Sequence, residues 1–153
     1  QKFHKPMWHD YLGEGSNFKK SKLQIEENKN SSKNKIHLPG RIDNFYKKVG
    51  YIKRWDCFFY EIRGREGISM SILESLACGV PAIINKKYGN VEIIKKDING
   101  YAYDTREKAV DYINKLIDNP QLLLELKAST IEHFKNNLDA KYMADKYIEI
   151  AKR

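Results

Sequence analysis

The sequence predicts an α/β fold, a parallel sheet covered by helices on both faces and followed by a helical tail. Three observations predict it. Short apolar runs bounded by turn residues alternate with stretches of helical period. Two of the runs, Cys57-Phe58-Phe59-Tyr60 and Ala82-Ile83-Ile84, are continuously apolar, as strands buried on both faces are. Beyond residue 104 the strand pattern stops and three helical stretches finish the chain. Of the 153 residues, 41% are apolar and 12% aromatic, enough to build a core and to exclude wholesale disorder.

Residues 7–12 read as a strand closed by Gly13-Glu14-Gly15, and a polar helix follows from Ser16 to about Glu27. Residues 35–38 form a short strand, stopped by Pro39-Gly40. The stretch from Asn44 to Arg54 is a helix with Phe45, Val49 and Ile52 on one side. Residues 56–60 are a buried strand. Ser69 to Cys78 is a helix, and Gly79 stands at its C′ stop. Residues 81–85 make the next strand, with Pro81 tolerated at its first position. Val91 to Lys96 is one short helix ended near Asn99-Gly100, and residues 101–103 are a last strand. The tail helices run roughly over 105–118, 120–136 and 139–152, broken at Asn119-Pro120 and near Asp139. Leu122, Leu126, Ile131, Tyr142, Tyr147 and Ile150 are their expected packing positions. Repeated βα units make this a Rossmann-like domain over residues 1–153, with alternating elements in 1–104 and the helical tail in 105–153.

The net charge is +8, and its distribution is uneven. Residues 1–54 carry 13 Lys+Arg against 5 Asp+Glu, whereas residues 55–153 carry 15 of each. Lys outnumbers Arg by 22 to 6, which suits a solvated face better than base-edge reading. Much of the excess lies in Lys19-Lys20-Ser21-Lys22 and in residues 28–35. That face is read as solvated, with an acidic partner or an anionic membrane surface as the functional alternative. No run of eighteen apolar residues is present to cross a bilayer. Gln1-Lys2-Phe3-His4-Lys5 has no apolar signal-peptide core, and the missing initiator Met points to a truncated or processed chain.

Cys57 and Cys78 lie in apolar runs outside any metal-ligand spacing and are expected as buried thiols in a reducing cytoplasm. His4 and His9 resemble a ligand pair, but no Cys or third His stands at metal spacing, so structural or surface roles are expected for all four His.

In such sheets ligands sit at the carboxyl ends of the strands. Gly13-Glu14-Gly15-Ser16 offers G-x-G between strand and helix, but Phe18 occupies the place of the third glycine. A plain tight turn competes with a dinucleotide fingerprint there. The loop Arg63 to Ser69 is richer. Glu66 sits in it, Gly67 permits close backbone approach, and Ser69 can cap the helix that follows. The free amides of Ser69, Met70 and Ser71 would then form an anion site. In one continuous helix Glu66 and Glu74 would stand about 80° apart. Two readings remain: carboxylates that flank a phosphate and accept sugar hydroxyls, or a capped helix with solvated Glu residues.

Residues 66–84, Glu66-Gly67-Ile68-Ser69-Met70-Ser71-Ile72-Leu73-Glu74 through Gly79-Val80-Pro81 to the apolar strand, resemble the signature of retaining glycosyltransferases of the GT-B fold, family 4. The resemblance continues through Gly89-Asn90-Val91-Glu92-Ile93-Ile94 and Asn99-Gly100-Tyr101. Upstream, Leu12-Gly13-Glu14-Gly15-Ser16 and Leu38-Pro39-Gly40-Arg41 are similar to two earlier strand-end loops.

The resemblance implies the C-terminal, donor-binding half of such an enzyme, without the first strand of that half. It implies a hexose transferred from a nucleoside-diphosphate sugar of UDP or GDP type to a glycan or lipid-linked acceptor. The setting would be bacterial cell-surface polysaccharide synthesis, in the cytoplasm or at the inner membrane face. Glu66 takes the catalytic position. Gly67, Ile68, Ser69, Met70, Glu74 and Asn90 fall on donor contacts, with Ser69 and Met70 at the diphosphate and Glu74 at the ribose. Gly15, Gly40 and Arg41, with Ile42 beside them, come from the earlier loops, the last three toward the base. No D-x-D occurs, and neither metal nor other cofactor is implied.

Tyr88-Gly89-Asn90 stands where the family has a double glycine, and the family's basic Gly-Arg and Lys-Gly pairs have no match. With the acceptor-binding domain also outside it, the chain alone is not expected to turn over, and part of the apolar face of the terminal helix, which in the family crosses back onto that domain, is expected to be exposed. A non-catalytic nucleotide-binding or interaction domain of the same fold is the alternative; a nucleic-acid binder is disfavoured by the neutral residues 55–153.

Overall fold

A computed structural model describes Lys5 and residues 7–12, 18–27, 35–64 and 67–152. The chain divides into two compact units, residues 3–50 and residues 51–153 together with 1–2.

In the first unit β1 (Trp8–Leu12) pairs in parallel with β2 (Lys35–Gly40), and α1 (Phe18–Glu27) lies between them in sequence. The pairing sets Trp8 opposite Lys35 and Asp10 opposite His37, whose side chains meet at 3.1 Å. β2 does not stop before Pro39 as expected. It runs through to Gly40, and the register slips between Asp10 and Leu12, opposite the proline that has no N–H to give the ladder. α2 (Phe45–Ile52) starts after Asn44, whose side chain accepts the Lys47 N–H at 2.9 Å. Of its expected inner face, Ile52 is buried and Val49 half-buried, but Phe45 in the first turn is 63% exposed and packs edge-on against Tyr46.

The second unit holds a parallel sheet in the order β3 (Phe58–Tyr60), β4 (Ala82–Asn85), β5 (Gly100–Tyr103). Buried Ile62, Ile72, Leu76, Ala82, Ile84, Ile93 and Ile94 form its core. β4, the central strand, is buried throughout. β3 is shorter and less buried than the apolar run suggests. It lies at one end of this sheet, where Phe59 is 47% exposed and stacks on Tyr103. Between them α3 (Met70–Ala77) ends as predicted: Gly79 takes φ 75°, its N–H reaches Leu76 O, and the Val80 N–H reaches Ser75 O. The expected helix over 91–96 is instead a 3-10 helix, Gly89–Ile93, after which Ile94 is already extended. Asn99 stops it there: its buried carboxamide accepts from Lys95 N at 2.7 Å and donates to Ile93 O at 2.8 Å.

The tail comprises α4 (Arg106–Asp118), α5 (Pro120–Asn137) and α6 (Ala140–Ala151). Thr105, Asn119 and Asp139 cap them, each side chain accepting a backbone N–H of the first turn. Leu126 is buried and Leu122 half-buried, but no residue of α6 is buried. Tyr142, Tyr147 and Ile150, expected as packing positions, are therefore exposed; α6 lies against α5. Cys57 and Cys78 are only half-buried as residues, a correction to the expected burial. Burial of the Cys57 thiol, with the Asp56 charge beside it, pushes its pKa up to about 12, so it is protonated at neutral pH.

Two predictions follow from this packing. Gly100 has φ 150° and an added Cβ would fall 1.9 Å from Ala82 O, so Gly100→Ala must push β5 off β4. Its expected cost is about 3 kcal/mol or more in chemical denaturation, and an unchanged midpoint would refute the close approach. Behind β5, Lys115 Nζ lies 3.1 Å from Asp97 Oδ1, and the Tyr101 hydroxyl donates to the same oxygen at 2.9 Å. The Lys115 and Tyr101 hydrogen bonds hold the Asp97 carboxyl below its ordinary value, and the Asp97 bond raises Lys115. A lowered carboxyl stabilises the fold above its unfolded pKa of about 4 and ceases to as pH falls through the folded value. A raised ammonium stabilises below about 10.4 and ceases to as pH rises through its folded value. Lys115→Met should lower the melting temperature by a constant, small amount between those limits and by less below about pH 4, seen in a melting series across pH.

Candidate functional site

The described site residues expected in the second unit lie on the loop between β3 and α3, on α3 itself and, for Asn90, on the 3-10 helix Gly89–Ile93 after β4. Glu66 and Gly15, with the rest of the G-x-G turn, lie outside the described residues. The loop after β3 is anchored at Ile62, whose N–H donates to Asn85 Oδ1 at 2.8 Å and whose carbonyl accepts from Asn85 Nδ2 at 3.0 Å. This two-pronged tie between the ends of β3 and β4 is fully internal, since Ile62 and Asn85 are both buried. Sequence reasoning missed Asn85. The signal was a carboxamide closing an apolar strand, Ala82-Ile83-Ile84-Asn85, where a buried polar group needs a defined partner.

At the start of α3 the arrangement differs from the expected one. Ser69 occupies the N-cap position (φ −72°, ψ 126°), but its hydroxyl makes no capping hydrogen bond. Its carbonyl accepts from Ile72 N at 3.1 Å and Leu73 N at 3.2 Å. Its N–H donates to Asn90 Oδ1 at 2.7 Å, so only Met70 and Ser71, not three residues, keep amides without an acceptor among the described residues. These two amides sit at the positive end of the helix, and no carboxylate occupies its first turn. Such a helix end suits an acceptor-rich, negatively charged group.

The structure brings Gly67, Ser69, Met70 and Asn90 together here. A Cβ on Gly89 would rest 3.7 Å from the Gly67 carbonyl carbon, so the two loops touch through their glycines. A Cβ on Gly67 itself would meet nothing within 4 Å, and Ile68 and Met70 are exposed. Glu74 lies further along α3 and is half-buried. Gly40 (buried, φ 78°) and exposed Arg41, which pairs with Asp43, belong to the other unit. Among the described residues no three His, Cys, Asp or Glu groups come together to hold a metal ion. Burial lowers the pKa of His9 and of His133, favouring their neutral forms.

Tyr88 holds φ 55° and ψ −161°, a region almost reserved for glycine, and is 49% exposed. The backbone there is strained by the β-carbon. Tyr88→Gly should therefore stabilise the protein by about 1 kcal/mol in chemical denaturation, and a loss of stability would show that the ring contributes more than the strain costs.

A family profile described as glycosyl transferases group 1 matches residues 9–136. No curated protein sequence matches the chain. Among solved structures, Anabaena HepE in complex with UDP is similar with a TM-score of 0.75 and 15% identity, over 94% of this chain and 40% of HepE. A mutant of S. aureus TarM, solved with fondaparinux, α-GlcNAc-glycerol and UDP, gives 0.73 and 22% over 92% of this chain and 28% of its own. The C-terminal domain of the Francisella tularensis glycosyl transferase group 1 family protein LpcC gives 0.66 and 16%, over 90% of this chain and 88% of that domain. The chain thus spans about two fifths of HepE, and at these identities the likeness is one of fold, that of the C-terminal domain of GT-B glycosyltransferases. Because the profile runs through most of its length, the chain belongs to the glycosyl transferases group 1 family.

Proposed function

We propose that the chain is the donor-binding domain of a retaining, family 4 glycosyltransferase that moves a hexose from a nucleoside-diphosphate sugar to a glycan or lipid-linked acceptor. The observation that carries this reading is the start of α3, where the Met70 and Ser71 amides are unbonded beside the 63–69 loop and ahead of Glu74. Such an end suits a diphosphate, and HepE and TarM, which share the fold, are both solved with UDP. The donor is of UDP or GDP type.

In this reading Glu66 faces the transferred sugar, Glu74 accepts ribose hydroxyls, and Gly67 leaves room for the ligand. Ile68 lines the loop, Gly15 is a further donor contact, and Gly40 and Arg41 serve the base side. The sugar C1–O bond breaks as the diphosphate leaves, and an acceptor hydroxyl forms the new bond on the same face. The amides at α3 stabilise the charge that gathers on the leaving oxygen. No metal or cofactor is invoked for this domain. The acceptor meets a part of the protein outside this chain, and the setting is bacterial surface polysaccharide synthesis on the cytoplasmic side. There the exposed Lys19, Lys20 and Lys22 of α1 would face anionic lipid.

The test is transfer by the whole enzyme. Glu66→Gln should lower kcat by about 100-fold or more, whereas Glu74→Gln should chiefly raise the KM for the donor by about tenfold. Unchanged kcat in Glu66→Gln would move the chemistry to another residue.

A further inference from the structure

We infer that Asn90 supplies the third donor of the anion-binding end of α3, through its side-chain Nδ2. The inference rests on the donor-binding reading above and assigns a residue within it. Asn90 is 0% exposed and stands on the 3-10 helix Gly89–Ile93. The atom that accepts the Ser69 N–H has to be its oxygen, because a backbone amide can only donate. That fixes the carboxamide and leaves Nδ2 as the other end. Nδ2 is buried and has no partner, and no other buried side-chain nitrogen or oxygen among the described residues is left so. Asn85 and Asn99 show the contrast: each uses both ends of its carboxamide inside the protein.

A buried donor without an acceptor is costly. The surplus donor therefore answers to an acceptor that is not part of the described chain. Its place says which kind. Oδ1 of the same carboxamide is 2.7 Å from Ser69 N, the residue immediately before the two unbonded amides of Met70 and Ser71. Among the described residues amide donors gather there, with no carboxylate in the first turn of α3, which favours a partner that only accepts: a phosphate oxygen of the diphosphate rather than a sugar hydroxyl. Nδ2 is closed to solvent in the free protein. For an anion to reach it, the turn that begins at the strained Tyr88 has to shift. Asn90 thus removes one backbone donor from the site and replaces it with a side-chain donor that is neutral at every physiological pH.

The experiment is nitrogen-edited NMR of the 153-residue chain titrated with UDP, GDP and inorganic pyrophosphate, reading the Asn90 side-chain NH2 beside the Met70 and Ser71 amides. The expected result is that a nucleoside diphosphate moves all three together and that pyrophosphate moves the same three at higher concentration. Asn90→Asp keeps the acceptor for Ser69 and replaces the donor, and should weaken UDP binding by about 10- to 100-fold. If UDP moves Met70 and Ser71 while the Asn90 side chain stays still, the inference fails and the donor-binding reading stands. A loss in Asn90→Asp confined to sugar nucleotides, with UDP itself unaffected, overturns it equally, since the contact would then be to the sugar. If no nucleotide moves any of the three, the reading beneath it falls as well.

Discussion

β4 is closed on both faces, so the polar groups at its two ends must find partners inside the protein, and that requirement arranges the loops around it. At its start the Ala82 N–H reaches Asn99 O across the close approach that Gly100 permits. At its end the Asn85 carboxamide takes both backbone groups of Ile62 and so anchors the loop after β3. Asn90, a few residues on, holds Ser69 at the head of α3. The geometry of the candidate site is thus set by buried carboxamides rather than by ion pairs, which here lie on the surface and contribute little.

Much of this architecture was legible in the sequence because local chemistry carries it. Gly79, Asn119-Pro120 and Asp139 mark helix ends whose partners lie within a few residues, and the structure uses each as read. The Glu66–Glu74 spacing and the apolar strand after it were enough to identify the family. The partners of the carboxamide ties were not legible, because Asn85 and Asn90 meet residues 23 and 21 positions away: the apolar run before Asn85 signals a buried carboxamide, but not what it bonds. For the same reason Ser69 looked like a capping residue: sequence shows the hydroxyl, but only the fold shows that its amide already has a partner. The β2 strand was cut short because Pro39 reads as a stop, although a slipped register accommodates it.

The charge asymmetry acquires a place in the fold. Residues 3–50 carry +5 of the +8, and β2 begins with exposed Lys35 and carries exposed His37. The unit that holds α3 carries the remaining +3, all of it outside the neutral residues 55–153, so an anion at that end, as proposed above, would be held by oriented peptide dipoles and one carboxamide rather than by a basic field. Dipoles fixed by packing need no reorganisation as charge develops, and salt screens them less than exposed lysines.

α6 buries none of its residues, and this bears on how the molecule opens. A helix of twelve residues is marginal in water on its own, so what holds α6 is its cap at Asp139 and its side-on lie against α5. It can melt without disturbing any residue of the β3–β5 core. The chain therefore unfolds in at least two steps: a local opening of α6 at low free energy, then cooperative loss of the sheet with α3 to α5. Circular dichroism weighted toward the tail and fluorescence from Trp55, which stacks on Phe58 beside the sheet, would follow different transitions.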